Sequence, residues 1–144
     1  VKPSTERLRL AGVKHCMRTS RSCLLLALVT TTALAAPPDL KLGQATFARC
    51  AGCHSMNYDI DAPRLCGLIG RRAGTLPGFD YSPAMKLSGI VWNAKTLDRL
   101  LADPVKAVPG TTMTTGAIPR RAERDALVAY LVAANRGAEC QGPR

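Results

Sequence analysis

The chain has 144 residues, 47% of them hydrophobic and only 4% aromatic, with 20 Lys and Arg against 10 Asp and Glu for a formal charge of +10. That length allows one small domain and little else. The basic residues are dispersed and accompany no recognition motif, which argues against nucleic acid as a partner.

In chain order, the first feature is a leader. Met17-Arg18-Thr19-Ser20-Arg21 forms a basic n-region, residues 23–32 a short apolar run, and Ala33-Leu34-Ala35-Ala36 a stretch of small residues before Pro37. This pattern predicts a secretory signal peptide cleaved after Ala35 or Ala36, and hence a periplasmic protein. The apolar run is roughly half the length that spans a bilayer, so no stable membrane insertion is expected after cleavage. Met17 is a sensible start for such a signal. Residues 1–36 therefore read as an upstream extension plus cleavable leader, and residues 37–144 as the folded domain. From Pro37 onward 14 Lys and Arg face 9 Asp and Glu, a surplus of +5 that suits an acidic protein surface or an anionic membrane.

Asp39 is a suitable N-cap for a helix running to about Cys50, with Phe47 on its inner face. Gly43 in its interior costs up to about 1 kcal/mol, which is rational where a second helix crosses closely. There follows Cys50-Ala51-Gly52-Cys53-His54, the spacing of a c-type haem attachment site. Two cysteines three apart on a helical turn can each form a thioether to a haem vinyl group, and His54 then faces the iron as an axial ligand. Of six cysteines, Cys16 and Cys23 leave with the leader, so Cys66 and Cys140 remain as an even pair. A disulfide between them would close a loop of about 74 residues and contribute about 2 to 4 kcal/mol; two free thiols are the alternative. A structural zinc site built from Cys50, Cys53, His54 and Cys66 competes with the haem reading. Adjacent Cys53 and His54 would struggle to reach one tetrahedral ion together. A thioredoxin-like dithiol would need a strand-helix-strand pattern that is missing.

The middle of the chain, from Pro63 to Pro119, is dense in Pro and Gly and is not expected to build a sheet. Thr96 can cap a short helix carrying Leu97, Leu100 and Leu101, which Pro104 ends. The last helix runs from about Ala122 to Asn135. In it Leu127, Tyr130, Leu131 and Ala134 recur at i, i+3, i+4 and i+7, and Gly137 is a good terminator. Its apolar stripe fits the helix of Gly43 and Phe47. The fold class is therefore all-α, with a core undersized for its length; a haem, large, flat and mostly apolar, would complete it.

Several segments besides the attachment motif resemble a class I cytochrome c. They are residues 43–54, the glycine-rich 67–74, Pro77 to Ser82, Ser88 to Trp92, Pro109 to Met113, and Glu123 to Leu131. The resemblance runs in order over nearly all of Asp39 to Asn135. It implies a small cytochrome c fold with crossing terminal helices around one covalent haem c. It also implies a soluble, monomeric, non-enzymatic carrier that shuttles single electrons between redox protein partners such as respiratory or dehydrogenase complexes.

By the same resemblance His54 is the first axial ligand, its other ring nitrogen held by the Pro63 carbonyl. Met113 is the second, with Met85 as rival and Met56 too near the attachment site. Tyr81, Trp92 and Arg71 are expected to serve the haem propionates; the plainer alternatives are core packing for Trp92 and a solvated loop charge for Arg71. Leu65, Leu68, Leu101 and Leu131 are expected haem or core contacts. Some positions depart from mitochondrial relatives: Leu100 replaces a tyrosine near the methionine and Thr115 an exposed aromatic. Val105 and Thr112 replace two docking lysines, leaving Lys86 and Lys106 as remnants. Arg120, Arg121 and Arg124 form either a solvated face or part of a docking site. The rival functional reading is a haem subunit, enzyme or sensor whose sixth ligand exchanges.

Overall fold

The computed structural model of the chain describes residues 36–141, so the expected leader up to Ala35, with His15, Cys16 and Cys23, lies outside the described residues. Helix α1 is Leu40–Phe47, and Asp39 caps it as expected, its Oδ1 accepting from the amides of Lys41 and Leu42 at 3.0 Å each. It stops short of Cys50. The Arg49 amide reaches only the Thr46 carbonyl, a tightened i to i−3 turn that ends the α ladder. Cys50 through His54 continue as separate turns, with the amides of Cys53 and His54 both donating to the Cys50 carbonyl, at 3.0 and 2.9 Å.

Helix α2 is Pro83–Leu87, capped by Ser82 with Pro83 in the first turn. It is absent from the sequence expectation because five residues show no usable period. Helix α3 is Ala94–Ala102, and its N-cap is Asn93. Thr96, expected as the cap, is the other half of a capping box. Its amide donates to Asn93 Oδ1 at 3.1 Å and its hydroxyl accepts from the Asn93 amide at 2.9 Å. Pro104 ends α3 and opens α4, Pro104–Ala107, with Asp103 capping the latter through the Lys106 amide at 3.0 Å.

Helix α5, Arg121–Arg136, is the longest element among the described residues and ends at Gly137, whose φ of −82° is open to any residue. It buries Ala126, Leu127, Val128 and Leu131, and it crosses α1 at Gly43. A Cβ at Gly43 would lie 2.6 Å from Tyr130 Cβ and would run into the Ala126 carbonyl oxygen. Beside this contact the Phe47 and Tyr130 rings stand 5.6 Å apart, centroid to centroid. Among the described residues the one pleated contact is an antiparallel bridge between Arg72 and Val91, consistent with an all-α fold. No described helix is long and apolar enough to cross a membrane.

Cys66 and Cys140 form a disulfide, their Cα atoms 5.1 Å apart. It ties a 3₁₀ turn after α5, Ala138–Cys140, to the loop that follows the attachment motif. The zinc reading loses its fourth ligand by this bond. No cluster of three His, Cys, Asp or Glu suited to a metal occurs among the described residues.

Two predictions follow from these contacts. Helix propensity alone would make Gly43→Ala stabilising by about 1 kcal/mol, but overpacking of this kind costs about 1 to 3 kcal/mol, so the holoprotein's denaturant midpoint should fall; a rise would refute the crossing. Replacing Cys66 and Cys140 together by serine should cost about 2 to 4 kcal/mol in the same assay, and neither Cys66 nor Cys140 should be alkylatable in the unreduced protein by mass spectrometry.

Candidate haem site

The turns after α1 open onto a cavity of about 400 Å³. Cys50, Cys53 and His54 line one wall, and the Cys50 thiol is half-buried while Cys53 is exposed. Burial pushes the Cys50 thiol above its ordinary pKa, opposed by Arg49 and reinforced by Cys53. Neither cysteine takes part in the disulfide.

His54 is held by one hydrogen bond, from Nδ1 to the Pro63 carbonyl at 2.8 Å. A carbonyl can only accept, so Nδ1 carries the proton and the Nε2 lone pair is left for a metal. Burial pushes the imidazole pKa down, partly opposed by that carbonyl, and so favours the neutral, ligating form. The Pro63 position is itself fixed by its neighbours. Arg64 is clamped by Asp59, which accepts from its amide and its guanidinium at 2.7 Å each, and the amides of Leu65 and Cys66 donate to the carbonyls of Ser55 and Met56.

Arg71, Tyr81 and Trp92 line the same cavity. Arg71 donates to the carbonyls of Cys66 and Arg64, at 3.3 Å each, while its Nε is buried without a partner. A buried, unsatisfied N–H on a cation in a cavity wall calls for an acceptor, preferably an anion. This orphaned donor is what a haem propionate would satisfy, so the site fits the group. Burial pulls the Arg71 pKa down, with Tyr81 opposing; burial pushes the Tyr81 phenol up, with Arg71 opposing. Trp92 is 6% exposed, and its backbone is fixed on both sides, its amide donating to the Arg71 carbonyl at 3.0 Å and its carbonyl accepting from Gly70 at 2.8 Å. The solvated-charge reading of Arg71 is thus not what the fold adopts.

Apolar walls complete the cavity. Leu97, Leu100 and Leu101 come from α3, Leu127 and Leu131 from α5, and Leu65 and Leu68 from the loop between Pro63 and Arg71. All seven are buried. Met113 and Met85 both reach the cavity, whereas Met56 is buried outside it. Two residues that sequence reasoning missed shape the surroundings of Met113. The Thr111 hydroxyl accepts from the Met113 amide at 3.1 Å, and Gly116, at φ +91°, has so little room that an added Cβ would lie 3.1 Å from Met113 Cε. The signal for Gly116 was a glycine in a threonine-rich loop.

In the arginine cluster at the start of α5, Arg120 and Arg121 lie on the exposed face expected of them, each paired along the helix, whereas Arg124 is drawn into the fold. Arg120 pairs with Glu123, and Arg121 with Asp125 at 3.3 Å. Arg124 is only 11% exposed and binds Asp98 of α3 at 2.6 Å and the Ile118 carbonyl at 2.8 Å. It joins α5, α3 and the returning loop. Of the two expected docking lysines, Lys86 is paired with Asp80 at 3.0 Å, and neither lines the cavity.

The sequence profile of the cytochrome c family matches residues 40–135. The cytochrome c2 of Rhodoplanes tepidamans is 41% identical over 96 residues, 65% of this chain and 90% of that protein. The cytochrome c of Gibberella zeae is 41% identical over 97 residues, 65% of this chain and 92% of its own. Among solved structures, cytochrome cH from Methylobacterium extorquens superposes with a TM-score of 0.63 at 38% identity, covering 66% of this chain and 98% of the other. With two close cysteines, a histidine and an orphaned cationic donor around one leucine-lined cavity, this chain belongs to the cytochrome c family, as a class I electron-transfer protein with a single covalent haem c.

Proposed function

We propose that this protein is a diffusible single-electron carrier in which Cys50 and Cys53 hold the haem by two thioethers and His54 and Met113 are the axial ligands. The observation that carries the reading is the His54 Nδ1 bond to Pro63, which frees Nε2 in the same cavity that Met113 reaches. When bound, the haem supplies a one-electron ferric/ferrous couple, and the Met/His pair sets a raised potential. The chain's own residues do the rest. The Pro63 carbonyl keeps the imidazole oriented and basic. The leucines of α3 and α5 exclude water, so charge in the pocket is felt strongly. Arg71, Tyr81 and Trp92 offer a guanidinium, a hydroxyl and an indole N–H to propionates that would otherwise be desolvated without donors.

Met113 is preferred over Met85 on local grounds. Met85 sits in α2, is 7% exposed and belongs to the packed core. Met113 lies on a loop turned by Gly110, at φ +88°, and supported by Thr111 and Gly116. Leu100 offers the methionine sulfur no hydroxyl. The leader pattern and the kinship with bacterial cytochromes c2 and cH support a periplasmic location. The protein acts as a monomer toward redox protein partners, and its positive surplus favours a partner of net negative charge at long range.

The ferric protein should show a low-spin spectrum with a weak far-red sulfur-to-iron band. Met113→Ala should abolish that band and admit CO, whereas Met85→Leu should keep it. A high-spin wild-type spectrum with ready CO binding would support the exchangeable-ligand reading instead. Arg71→Met removes a positive charge beside the couple and so favours the ferric state. Its midpoint potential should fall by up to about 60 mV, a tenfold change for one electron, and Arg71→Lys should restore part of it.

A further inference from the structure

Besides the cysteines at the cavity, the described residues hold one pair of sulfurs able to exchange electrons, the Cys66–Cys140 disulfide. Its two halves differ in access. Cys66 is 5% exposed and packed in the core, whereas Cys140 is half-buried at the end of the 3₁₀ turn, with exposed Ala138, Glu139 and Gln141 around it. The hydrogen bonds of that turn are local: the amides of Cys140 and Gln141 donate to the carbonyls of Gly137 and Ala138, at 3.1 and 3.2 Å. An incoming thiolate therefore meets Cys140 Sγ first. The Cys66 side is furnished for the reduced form. Asn57 Oδ1 stands 3.2 Å from Cys66 Sγ, and the Glu139 carbonyl oxygen 3.8 Å. Two acceptors thus face a sulfur that in the disulfide has no proton to give; as a thiol it donates to Asn57.

The same residue reaches the cavity. The Cys66 carbonyl is one of the two acceptors that hold the Arg71 guanidinium, the other being that of Arg64. The His54 contact is secured without the bridge, because Asp59 clamps Arg64 beside Pro63 and the Leu65 amide donates to the Ser55 carbonyl at 3.0 Å. The bond from the Leu68 amide to Asn135 and the crossing of α1 and α5 at Gly43 are likewise independent of the sulfurs. Opening the disulfide loosens Cys66 and, with it, Arg71. It leaves the helices and the His54 contact in place.

We propose that the Cys66–Cys140 disulfide is a second redox site whose substrate is a dithiol, and that its reduction lowers the haem potential through Arg71. This rests on the carrier reading above. One thiolate of the dithiol attacks Cys140 Sγ and forms a mixed disulfide as the Cys66–Cys140 bond breaks; Cys66 leaves as a thiolate and takes up a proton. The second sulfur of the dithiol then attacks the mixed disulfide, releasing the Cys140 thiol and the oxidised, cyclic dithiol. Two electrons and two protons pass to the protein, all of them to sulfur. With Cys66 released, the Arg71 guanidinium is held less closely in the cavity wall, positive charge recedes from the couple, and the ferric state gains. The coupling is reciprocal, so the disulfide of the ferric protein is easier to reduce by the same factor.

Holoprotein treated with excess dithiothreitol, then freed of the reagent under nitrogen, is compared with untreated holoprotein by voltammetry on graphite, with thiols counted by alkylation and mass spectrometry. Cys66 and Cys140 should both become alkylatable while the ferric low-spin spectrum persists. The midpoint potential should fall by the equivalent of about a threefold shift in the ferric/ferrous ratio, about 30 mV for one electron. C66S/C140S should show the same fall without treatment, and in R71M the treatment should move the potential less than half as far. Glutathione, a monothiol, should leave its mixed disulfide on Cys140. The inference is overturned by an unchanged or raised potential with both thiols counted, by a disulfide that resists dithiothreitol in the folded protein, or by loss of the low-spin spectrum on reduction. A fall undiminished in R71M, or a glutathione adduct on Cys66, also overturns it. Should C66S/C140S not fold, the treated wild type decides. Absence of a reversible wave or of a low-spin spectrum in the untreated protein overturns the carrier reading itself and this inference with it.

Discussion

The crossing of α1 and α5 at Gly43 is the constraint on which the site depends. With no side chain at that position, the backbone of α1 lies against the Ala126 carbonyl and Tyr130. Helices bearing larger residues at a crossing stand further apart. Close approach puts the end of α1, and so Cys50 and His54, beside Leu127 and Leu131 of α5 at one cavity. A wider crossing would move the attachment turns relative to the apolar wall that must cover the same group. The glycine weakens its own helix for that reason.

A second tie acts on the other side of the attachment motif. The loop from Pro63 to Arg71 supplies both the acceptor for His54 and the orphaned cation, yet it has no secondary structure to hold it. It is anchored to the end of the chain's last elements instead: Cys66 through the disulfide to the 3₁₀ turn after α5, and Leu68 through its amide to Asn135 Oδ1 of α5 at 2.9 Å. The loop also folds back on itself, since Arg71 donates to the carbonyls of Arg64 and Cys66. Pro63 and Arg71 are thereby set by one rigid segment. The disulfide fits this role by sequence distance as well, since it spans 74 positions and removes much of the unfolded chain's freedom.

What could be read from the residues alone divides along physical lines. The attachment motif was legible because thioether formation and iron ligation demand fixed neighbours in sequence, and α5 because sixteen residues repeat an apolar period. Helices α2 and α4 were not, since four or five residues hold too little of a period to distinguish them from turns. At α3 the error was one of position within a motif. Asn93 and Thr96 bond reciprocally in a capping box, both are good cap residues, and composition does not say which one stands outside the helix. The arginine cluster shows both cases at once. Partners three and four residues away, Glu123 and Asp125, follow from helical spacing. Asp98, 26 positions from Arg124, is brought near only by the packing of α3 on α5.

The same distinction governs charge. A net surplus is a sum over residues and carries no position, so it predicts long-range attraction and says nothing of the contact face. Position comes from the helix period: once Leu97, Leu100 and Leu101 are committed to the cavity, Lys95 and Arg99 must stand on the far side of α3. Residues near the mouth face the converse constraint. Arg49 is drawn to Glu123, and the threonine loop is shaped by the need to seat Met113 between the Thr111 hydroxyl and Gly116. The packing that buries the cavity's leucines therefore also fixes the side of α3 on which Lys95 and Arg99 stand.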